Sequence, residues 1–126
     1  MEFVATSKSV RISPRKVRLV ADTVRNLSIK DALDRLSLIG KIASRPIEKT
    51  LLSVLANATH MVKDVKTTAK PDIDTLKIKS LEIFEGPSLK RFHPSTRGRI
   101  HPYKKRSSHI KIVLTDEKGT EYGTKS

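Results

Sequence analysis

Residues 86–107 constrain the fold of this chain more than any other segment. The segment contains seven lysines and arginines, three prolines and no acidic residue. Its large apolar residues are too few to bury it against the rest of the chain; they are Leu89, Phe92, Ile100 and Tyr103. A structureless loop of this length is unusual inside a compact domain and is normally functional or disordered. The segment is therefore predicted to leave the body and to take its stability from outside the chain.

The sequences on either side of this segment predict that it is a β-hairpin. Residues 76–80 alternate between apolar or small side chains and lysines, and the apolar phase then shifts at Leu81, which predicts a β-bulge. Residues 108–115 also alternate. If both strands continue outward, about eleven residues on each arm reach roughly 35 Å, whereas a body of about 100 residues has a radius of gyration of about 13 Å. The hairpin, about residues 86–107, is therefore expected to protrude.

The rest of the chain predicts one further strand and three helices. Residues 3–12 have extended character. Apolar residues then recur at helical spacing over residues 14–26, 29–39 and 44–63. Each of these segments is long enough for an ordinary globular helix.

Local sequence also predicts where the helices begin and end. Ser13 is suited to the N-cap of the first helix, and Pro14 to its first position, where a missing N–H costs nothing. Ser28 with Asp31 resembles a capping box at the start of the second helix. Gly40 is placed to end that helix.

One face of each helix is expected to be buried. The expected buried positions are Val17, Val20, Ala21 and Val24; Ile29, Ala32, Leu33, Leu36 and Ile39; and Ile47, Leu51, Val54, Leu55, Ala58 and Val62, with Leu52 and Ala56 widening the last stripe. The predicted fold class is α+β, with three helices packed on a small antiparallel sheet and a long protruding β-hairpin. Residues 1–115 are predicted to form a single domain, residues 64–75 a surface loop, and residues 116–126 a disordered tail.

Charge is distributed unevenly along the chain. There are 26 lysines and arginines against 13 acidic residues, a formal net charge of +13. Residues 3–21 and 86–115 contain no acid, whereas residues 22–85 are nearly balanced. A surplus of this size destabilises a compact free protein unless a polyanion neutralises it. Two basic blocks around a neutral centre predict two contact surfaces for one polyanion, most commonly nucleic acid, with a merely solvated basic face as the alternative.

Enzymatic, metal-binding and membrane-spanning classes find no support in the sequence. There are no cysteines, and the four histidines form no i, i+4 pair, so neither a metal site nor a cofactor is predicted. No Gly-rich phosphate loop or nucleophile elbow is present, so no catalytic residue is predicted. No apolar run approaches the ~18 residues of a membrane span, and the first residues lack a secretory apolar region. A soluble cytosolic protein is expected; an organelle transit peptide within residues 3–21 is the less favoured alternative.

Five ordered motifs make a family recognisable. The chain resembles the large-subunit ribosomal protein twenty-two family over about residues 3–115. The resemblance rests on residues 13–22 (SPRKVRLVAD), 55–58 (LANA) with His60, 85–91 (EGPSLKR), 98–99 (GR) and 105–110 (KRSSHI). It implies a structural constituent of the large ribosomal subunit that binds ribosomal RNA, aids assembly, and lines the nascent-peptide exit tunnel with its hairpin.

The resemblance and the basic blocks together define the expected site residues. Those expected to bind ribosomal RNA are Lys8, Arg11, Arg15, Lys16, Arg18, Lys90, Arg91, Arg97, Arg99, Lys104, Lys105, Arg106 and His109. Those expected at the tunnel wall are Leu89, Lys90, Arg91, Phe92, His93, Pro94 and Arg97. The implied partners are several segments of large-subunit ribosomal RNA, neighbouring large-subunit proteins and the nascent polypeptide, with no membrane.

The chain departs from the family pattern at two places in the hairpin. Ser95-Thr96 stands where the family commonly has Arg-Ala, which removes one basic contact at the tip. Residues 100–102 (IHP) are unusual and predict an altered path for the returning strand.

Two other function classes remain open from the residues alone. A free DNA- or RNA-binding regulator could use a basic β-arm in a groove and would show sequence preference. A membrane-surface protein would need a helix with both a large apolar face and a basic face. The first helix has a basic stripe, but its apolar positions are needed for the core, so the membrane alternative ranks last.

Overall fold

The computed structural model describes residues 2–64 and 73–116. In chain order the elements are β1 (Glu2–Val10), α1 (Pro14–Val24), α2 (Ile29–Leu38), α3 (Ser44–Asp64), β2 (Leu76–Glu85), β3 (Leu89–Pro94), β4 (Ile100–Lys105) and β5 (Ser108–Asp116). Short 3-10 turns precede β2 and separate β3 from β4. The predicted α+β class, with three helices, a small antiparallel sheet and a separate β-hairpin, is confirmed.

The body is built on a three-stranded antiparallel sheet in the order β1-β5-β2. The central strand, β5, supplies Ile110, Ile112 and Leu114, which are fully buried. These three alternate along the strand and so face the same side, as the sequence predicts. The helices cover that side of the sheet.

The helices bury the stripes that their sequences predict. Val17, Val20, Ala21 and Val24 of α1 are all buried, and Ile29, Ala32 and Leu36 anchor α2. In α3 the buried stripe is narrower than predicted. Leu52 is 49 % exposed and Ala56 is also exposed, because each follows a buried or half-buried residue by one position and is rotated by about 100° towards solvent. The side chain of Val62 lies outside the described part of the chain.

The predicted helix ends are partly correct. Ser28 accepts a hydrogen bond from the backbone N–H of Asp31 (3.3 Å), and its hydroxyl donates to the Asp31 carboxylate (2.8 Å). Ser13 occupies the N-cap position of α1, but its side chain makes no capping hydrogen bond. Gly40 directly follows the C-cap residue of α2, Ile39, as predicted. It does not adopt the left-handed conformation of a typical glycine cap, because the chain already leaves the helix at Ile39, which has an extended backbone (φ −72°, ψ 122°).

Two irregularities interrupt the sheet. The predicted bulge in β2 lies between Ile78 and Ser80, slightly earlier than the apolar phase shift at Leu81. A second irregularity lies in β1 between Ser7 and Val10, where Ser9 adopts a left-handed backbone (φ 58°). Residues 65–72 of the predicted loop and residues 117–126 of the predicted tail lie outside the described residues.

Candidate nucleic-acid interface

Strands β3 and β4 form a two-stranded sheet that is separate from the sheet of the body. Every residue of both strands is exposed. The strands pair from Leu89 opposite Lys105 to Pro94 opposite Ile100 without a register shift. Residues 100–102 of the returning strand pair in register with residues 92–94.

The base of the hairpin is fixed by three interactions between its two arms. The Gly86 N–H donates to the Ser107 carbonyl (2.9 Å), and the Ser107 hydroxyl donates to the Pro87 carbonyl (2.6 Å). The Arg106 guanidinium forms an ion pair with the Glu85 carboxylate (2.6 Å). A Cβ atom on Gly86 would lie 2.6 Å from the Ser107 hydroxyl. Glycine at this position therefore permits the close approach of the two arms.

The tip of the hairpin is a turn over residues 95–99. The Ser95 N–H donates to the Arg99 carbonyl (2.7 Å) and closes the turn. Arg97 and Gly98 both have left-handed backbones, with φ of 62° and 71°. This conformation favours glycine and is uncommon for a side chain as large as arginine. The turn presents Arg97 and Arg99 to solvent at the far end of the arm.

The hairpin brings like charges together with no acid between them. Lys90 lies directly opposite Lys104 in the register, an arrangement that destabilises an isolated strand pair. On the other face Arg91 lies opposite Tyr103, and the His93 ring stacks on the Tyr103 ring with centroids 3.9 Å apart. The first face is suited to an anionic partner, and the second combines basic and aromatic side chains as nucleic-acid-binding surfaces do.

Two histidines of the hairpin are cross-strand neighbours. His93 lies opposite His101 in the register. Within residues 2–64 and 73–116, no three histidine or acidic side chains come together in a way that could hold a metal ion.

A cleft of about 250 Å³ lies where the hairpin meets the body. Arg11, from the connection between β1 and α1, lines it together with Arg91, Lys105 and Arg106 of the hairpin base. No acidic side chain lines the cleft. The fold therefore brings cations from the two basic blocks of the sequence to a single place, which the sequence alone does not show.

A second cleft, of about 390 Å³, lies between the first turn of α1 and the hairpin base. Arg15 and Arg18 line it from the helix, and Glu85 and Arg106 line it from the other side. Arg106 therefore contributes to both clefts. The Glu85 carboxylate already pairs with Arg106 and offsets part of the positive charge.

Arg18 has a structural contact that the sequence analysis did not predict. Its guanidinium donates to the Ile83 carbonyl of β2 (3.2 Å), and Arg25 donates to the Leu81 carbonyl (3.0 Å). Asp22 pairs with Arg25 (2.8 Å), not with Arg18. The two arginines thus hold α1 on the sheet, and Arg18 has only part of its donor set available for another partner.

His109 holds the irregular segment of β1. The Ser9 N–H donates to His109 Nδ1 (2.9 Å), and this hydrogen bond supports the left-handed backbone of Ser9. Of the remaining predicted site residues, Lys8 is exposed on β1, and Lys16 is exposed on α1. Sequence reasoning missed Ser9, because a left-handed serine leaves no trace in the residue pattern.

Among the ion pairs described in the body, two perturb pKa values. The Lys79 ammonium donates a hydrogen bond to the Glu2 carboxylate, which lowers the pKa of Glu2. The hydrogen bond from Lys30 to Asp74 (2.6 Å) raises the pKa of Lys30. Both pairs are exposed and join elements of the body, so they stabilise the scaffold rather than build a reactive site.

Comparison with known proteins agrees with this arrangement. The model of the family "Ribosomal protein L22p/L17e" matches residues 5–115. The chain belongs to this family. The predictions of a ribosomal protein with a structural, non-enzymatic role are thereby confirmed.

Curated relatives from bacteria are similar over almost the whole chain. The large ribosomal subunit protein uL22 of Macrococcus caseolyticus is 43% identical over 117 residues, which cover 93% of this chain and 89% of the relative. That of Mycoplasma capricolum is 43% identical over 118 residues, covering 94% and 100%. That of Staphylococcus aureus is 45% identical over 118 residues, covering 94% and 95%. The chain is thus a ribosomal protein of bacterial type.

The part of the chain that the structure describes contains no helix with both the length and the apolar character needed to cross a membrane.

Proposed function

We propose that this chain is an architectural protein of the large ribosomal subunit that binds ribosomal RNA through its hairpin and through the two clefts at the hairpin base. One observation supports this most strongly. The hairpin is fully exposed, contains like charges in register, and has its nearest acidic partner, Glu85, only at its base. Such an arm gains stability when phosphate groups surround it, because the phosphates neutralise cations that otherwise repel each other.

The two clefts are where the body would contact the RNA. Arg11, Arg91 and Lys105 converge in one cleft, and Arg15 and Arg18 line the other. An RNA backbone that enters these clefts would hold the hairpin at a fixed angle to the body. Contacts from the arm and from the body to separate RNA segments would clamp those segments together, which is how the protein would aid assembly.

The hairpin tip is the part proposed to reach the wall of the exit tunnel. The family resemblance supports this placement, as does the exposure of residues 89–94 and of Arg97. Ser95 and Thr96 lie in the tip turn, so the tip presents Arg97 and Arg99 as its cations. The proposed partners are ribosomal RNA, neighbouring large-subunit proteins and the nascent polypeptide, in a cytoplasmic ribosome.

The test is removal of the arm. Gly86 and Ser107 are joined by a backbone hydrogen bond, so replacing residues 87–106 with Asn-Gly gives a short hairpin connection between β2 and β5. We expect the shortened protein to fold and unfold cooperatively, but to co-sediment with large subunits much less than the full-length chain at moderate salt. The tunnel wall should also become more accessible to chemical probes in subunits that retain the shortened protein.

Two outcomes would contradict the proposal. If the shortened protein fails to fold, the arm belongs to the core. If the full-length chain stays in the ribosome-free fraction and binds a particular DNA or RNA sequence instead, the chain is a free regulator with a basic arm. An empty-vector strain and a strain expressing the full-length chain at the same level provide the controls.

A further inference from the structure

A groove on the body contains exposed aliphatic side chains that the core does not use. The groove has a volume of about 810 Å³ and lies between the start of α1 and the connection from α2 to α3. Leu19 is 61 % exposed and Ile42 is 81 % exposed, and both line the groove. Ile12 and Ala43 line it as well. Its volume is in the range of sites that bind small organic groups, about 300–1,000 Å³.

The same groove is lined by cations. Arg11, Lys16 and Lys41 contribute to its walls, and no acidic side chain does. Lys16 and Leu19 are three positions apart on α1, which places a cation and an aliphatic side chain next to each other on one helix face. The groove thus offers an apolar surface with positive charge at its edges.

We propose that this groove binds one unpaired nucleobase of ribosomal RNA. A nucleobase has two flat faces that pack on aliphatic or aromatic side chains, and the phosphates on either side of it require cations. Leu19 and Ile42 contact the base, while Arg11, Lys16 and Lys41 neutralise the flanking phosphates. This inference rests on the proposed binding to ribosomal RNA and adds a specific site that lies outside the hairpin.

Arg11 connects this groove to the hairpin. It lines both the groove and the 250 Å³ cleft at the hairpin base. A single RNA strand whose backbone passes Arg11 can therefore place one phosphate in the cleft and the neighbouring base in the groove. The strand would follow the surface from α1 towards β3.

Other occupants fit the groove less well. A second copy of this chain would bring another formal charge of +13 against a surface that is already basic. A protein segment that fits would need both acidic and apolar residues, and such a segment would have to compete with RNA for the three cations. RNA supplies the anionic and the apolar component in each nucleotide.

Photo-crosslinking in assembled subunits tests the proposal. Three full-length variants carry p-benzoylphenylalanine, at Ile42 in the groove, at Leu52 on the exposed face of α3, or at Phe92 in the hairpin. Leu52 is 49 % exposed and does not line the groove. After irradiation, primer extension maps RNA cross-links and mass spectrometry identifies protein cross-links. We expect Ile42 to cross-link to a single nucleotide that is unpaired, and Leu52 to give several-fold less cross-linking to RNA.

The outcomes separate this inference from the proposed function. If the Phe92 variant cross-links to RNA but the Ile42 variant cross-links to a protein or to nothing, the base site is wrong and RNA binding stands. If neither variant cross-links to RNA, the proposed function fails.

A second measurement uses smaller substitutions, in case the bulky residue disturbs the groove. In subunits that contain Leu19→Ser with Ile42→Ser, the nucleotide identified by cross-linking should become several-fold more reactive to base-specific probes. The matched variant Leu52→Ser should leave its reactivity unchanged. Unchanged reactivity in the double variant would overturn the proposal, because a base that packs on Leu19 and Ile42 must be released when they are replaced.

Discussion

The body and the hairpin of this protein use opposite sources of stability. The body buries apolar side chains from three helices and three strands, and its exposed charges form ion pairs such as Lys79 with Glu2. The hairpin buries none of its strand residues and has cations opposite one another. The body therefore contains the apolar packing that a stable fold requires, whereas the proposed function assigns the stabilisation of the hairpin to an anionic partner. If that proposal holds, one short chain combines a packed body with an arm that its partner completes.

The largest expected effect compares one isoleucine in each region. Ile112 in β5 is 0 % exposed, and Ile100 in β4 is 66 % exposed. We expect Ile112→Ala to lower the free energy of unfolding by about 3 kcal/mol, because it leaves a cavity in the core. Ile100→Ala should lower it by less than about 0.5 kcal/mol. Urea denaturation of the two variants and the parent chain measures both values; similar losses would mean that the hairpin is part of the core.

The next effect concerns the junction between the two regions. Gly86→Ala places a Cβ atom 2.6 Å from the Ser107 hydroxyl, which itself donates a hydrogen bond to the Pro87 carbonyl. We expect a loss of about 1–2 kcal/mol in the free energy of unfolding, because the two arms must separate. Gly40→Ala is the matched control, since nothing lies within 4 Å of its added Cβ. Equal stability of the two variants would show that the close approach at Gly86 is unimportant.

A cation of the hairpin should affect RNA binding more than a cation of the body that lines neither the clefts nor the groove. If the chain makes six to eight phosphate contacts, the logarithm of its affinity for an RNA fragment should fall with the logarithm of salt concentration with a slope of about −5. Arg99→Gln should reduce the magnitude of that slope by about 1. Lys49→Gln, on the balanced central part of the chain, should leave the slope unchanged. Filter binding at several salt concentrations measures it, and a flat dependence would refute the electrostatic basis of binding.

The smallest effect is a pH dependence within the body. The ion pair with Lys79 lowers the pKa of Glu2 from its usual 4.5, so the charged carboxylate stabilises the folded state above that pH. This contribution is lost as the pH falls through the lower folded-state pKa. The stability difference between the parent chain and Glu2→Gln should therefore shrink on acidification. Lys79→Gln should abolish the difference at neutral pH; if it does not, Glu2 has another stabilising partner.

Local sequence was sufficient to predict the elements and most of the core. Helical spacing identified the buried stripe of α1, and alternation identified Ile110, Ile112 and Leu114 of β5. The same spacing also isolated Leu19, an apolar residue of α1 outside the buried stripe, although the sequence analysis drew no conclusion from it. A large apolar residue on the exposed face of a helix indicates a surface that contacts something else. The position of Leu19 could therefore have predicted the groove.

Other features depend on contacts between distant parts of the chain, so periodicity could not predict them. Asp22 is spaced to pair with Arg18 or Arg25; in the structure it pairs with Arg25, and both arginines also donate to carbonyls of β2, which sequence spacing does not reveal. Gly40 is placed correctly after the end of α2, but the extended backbone of Ile39, and not a left-handed glycine, turns the chain away from the helix. Likewise, the left-handed backbone of Ser9 is supported by a hydrogen bond from its N–H to His109, one hundred residues later in the chain.

By itself the amino-acid sequence determined which segments are helices and strands, and that residues 86–107 form a basic arm without an acidic residue. Those properties follow from side-chain spacing and charge, which are local and additive. Only the tertiary structure decided that Arg11 meets Arg91 and Lys105 in one cleft and borders the groove of Leu19 and Ile42. These contacts depend on how β1, α1 and the hairpin pack around β5, because residues far apart in the chain become neighbours only when the core is formed.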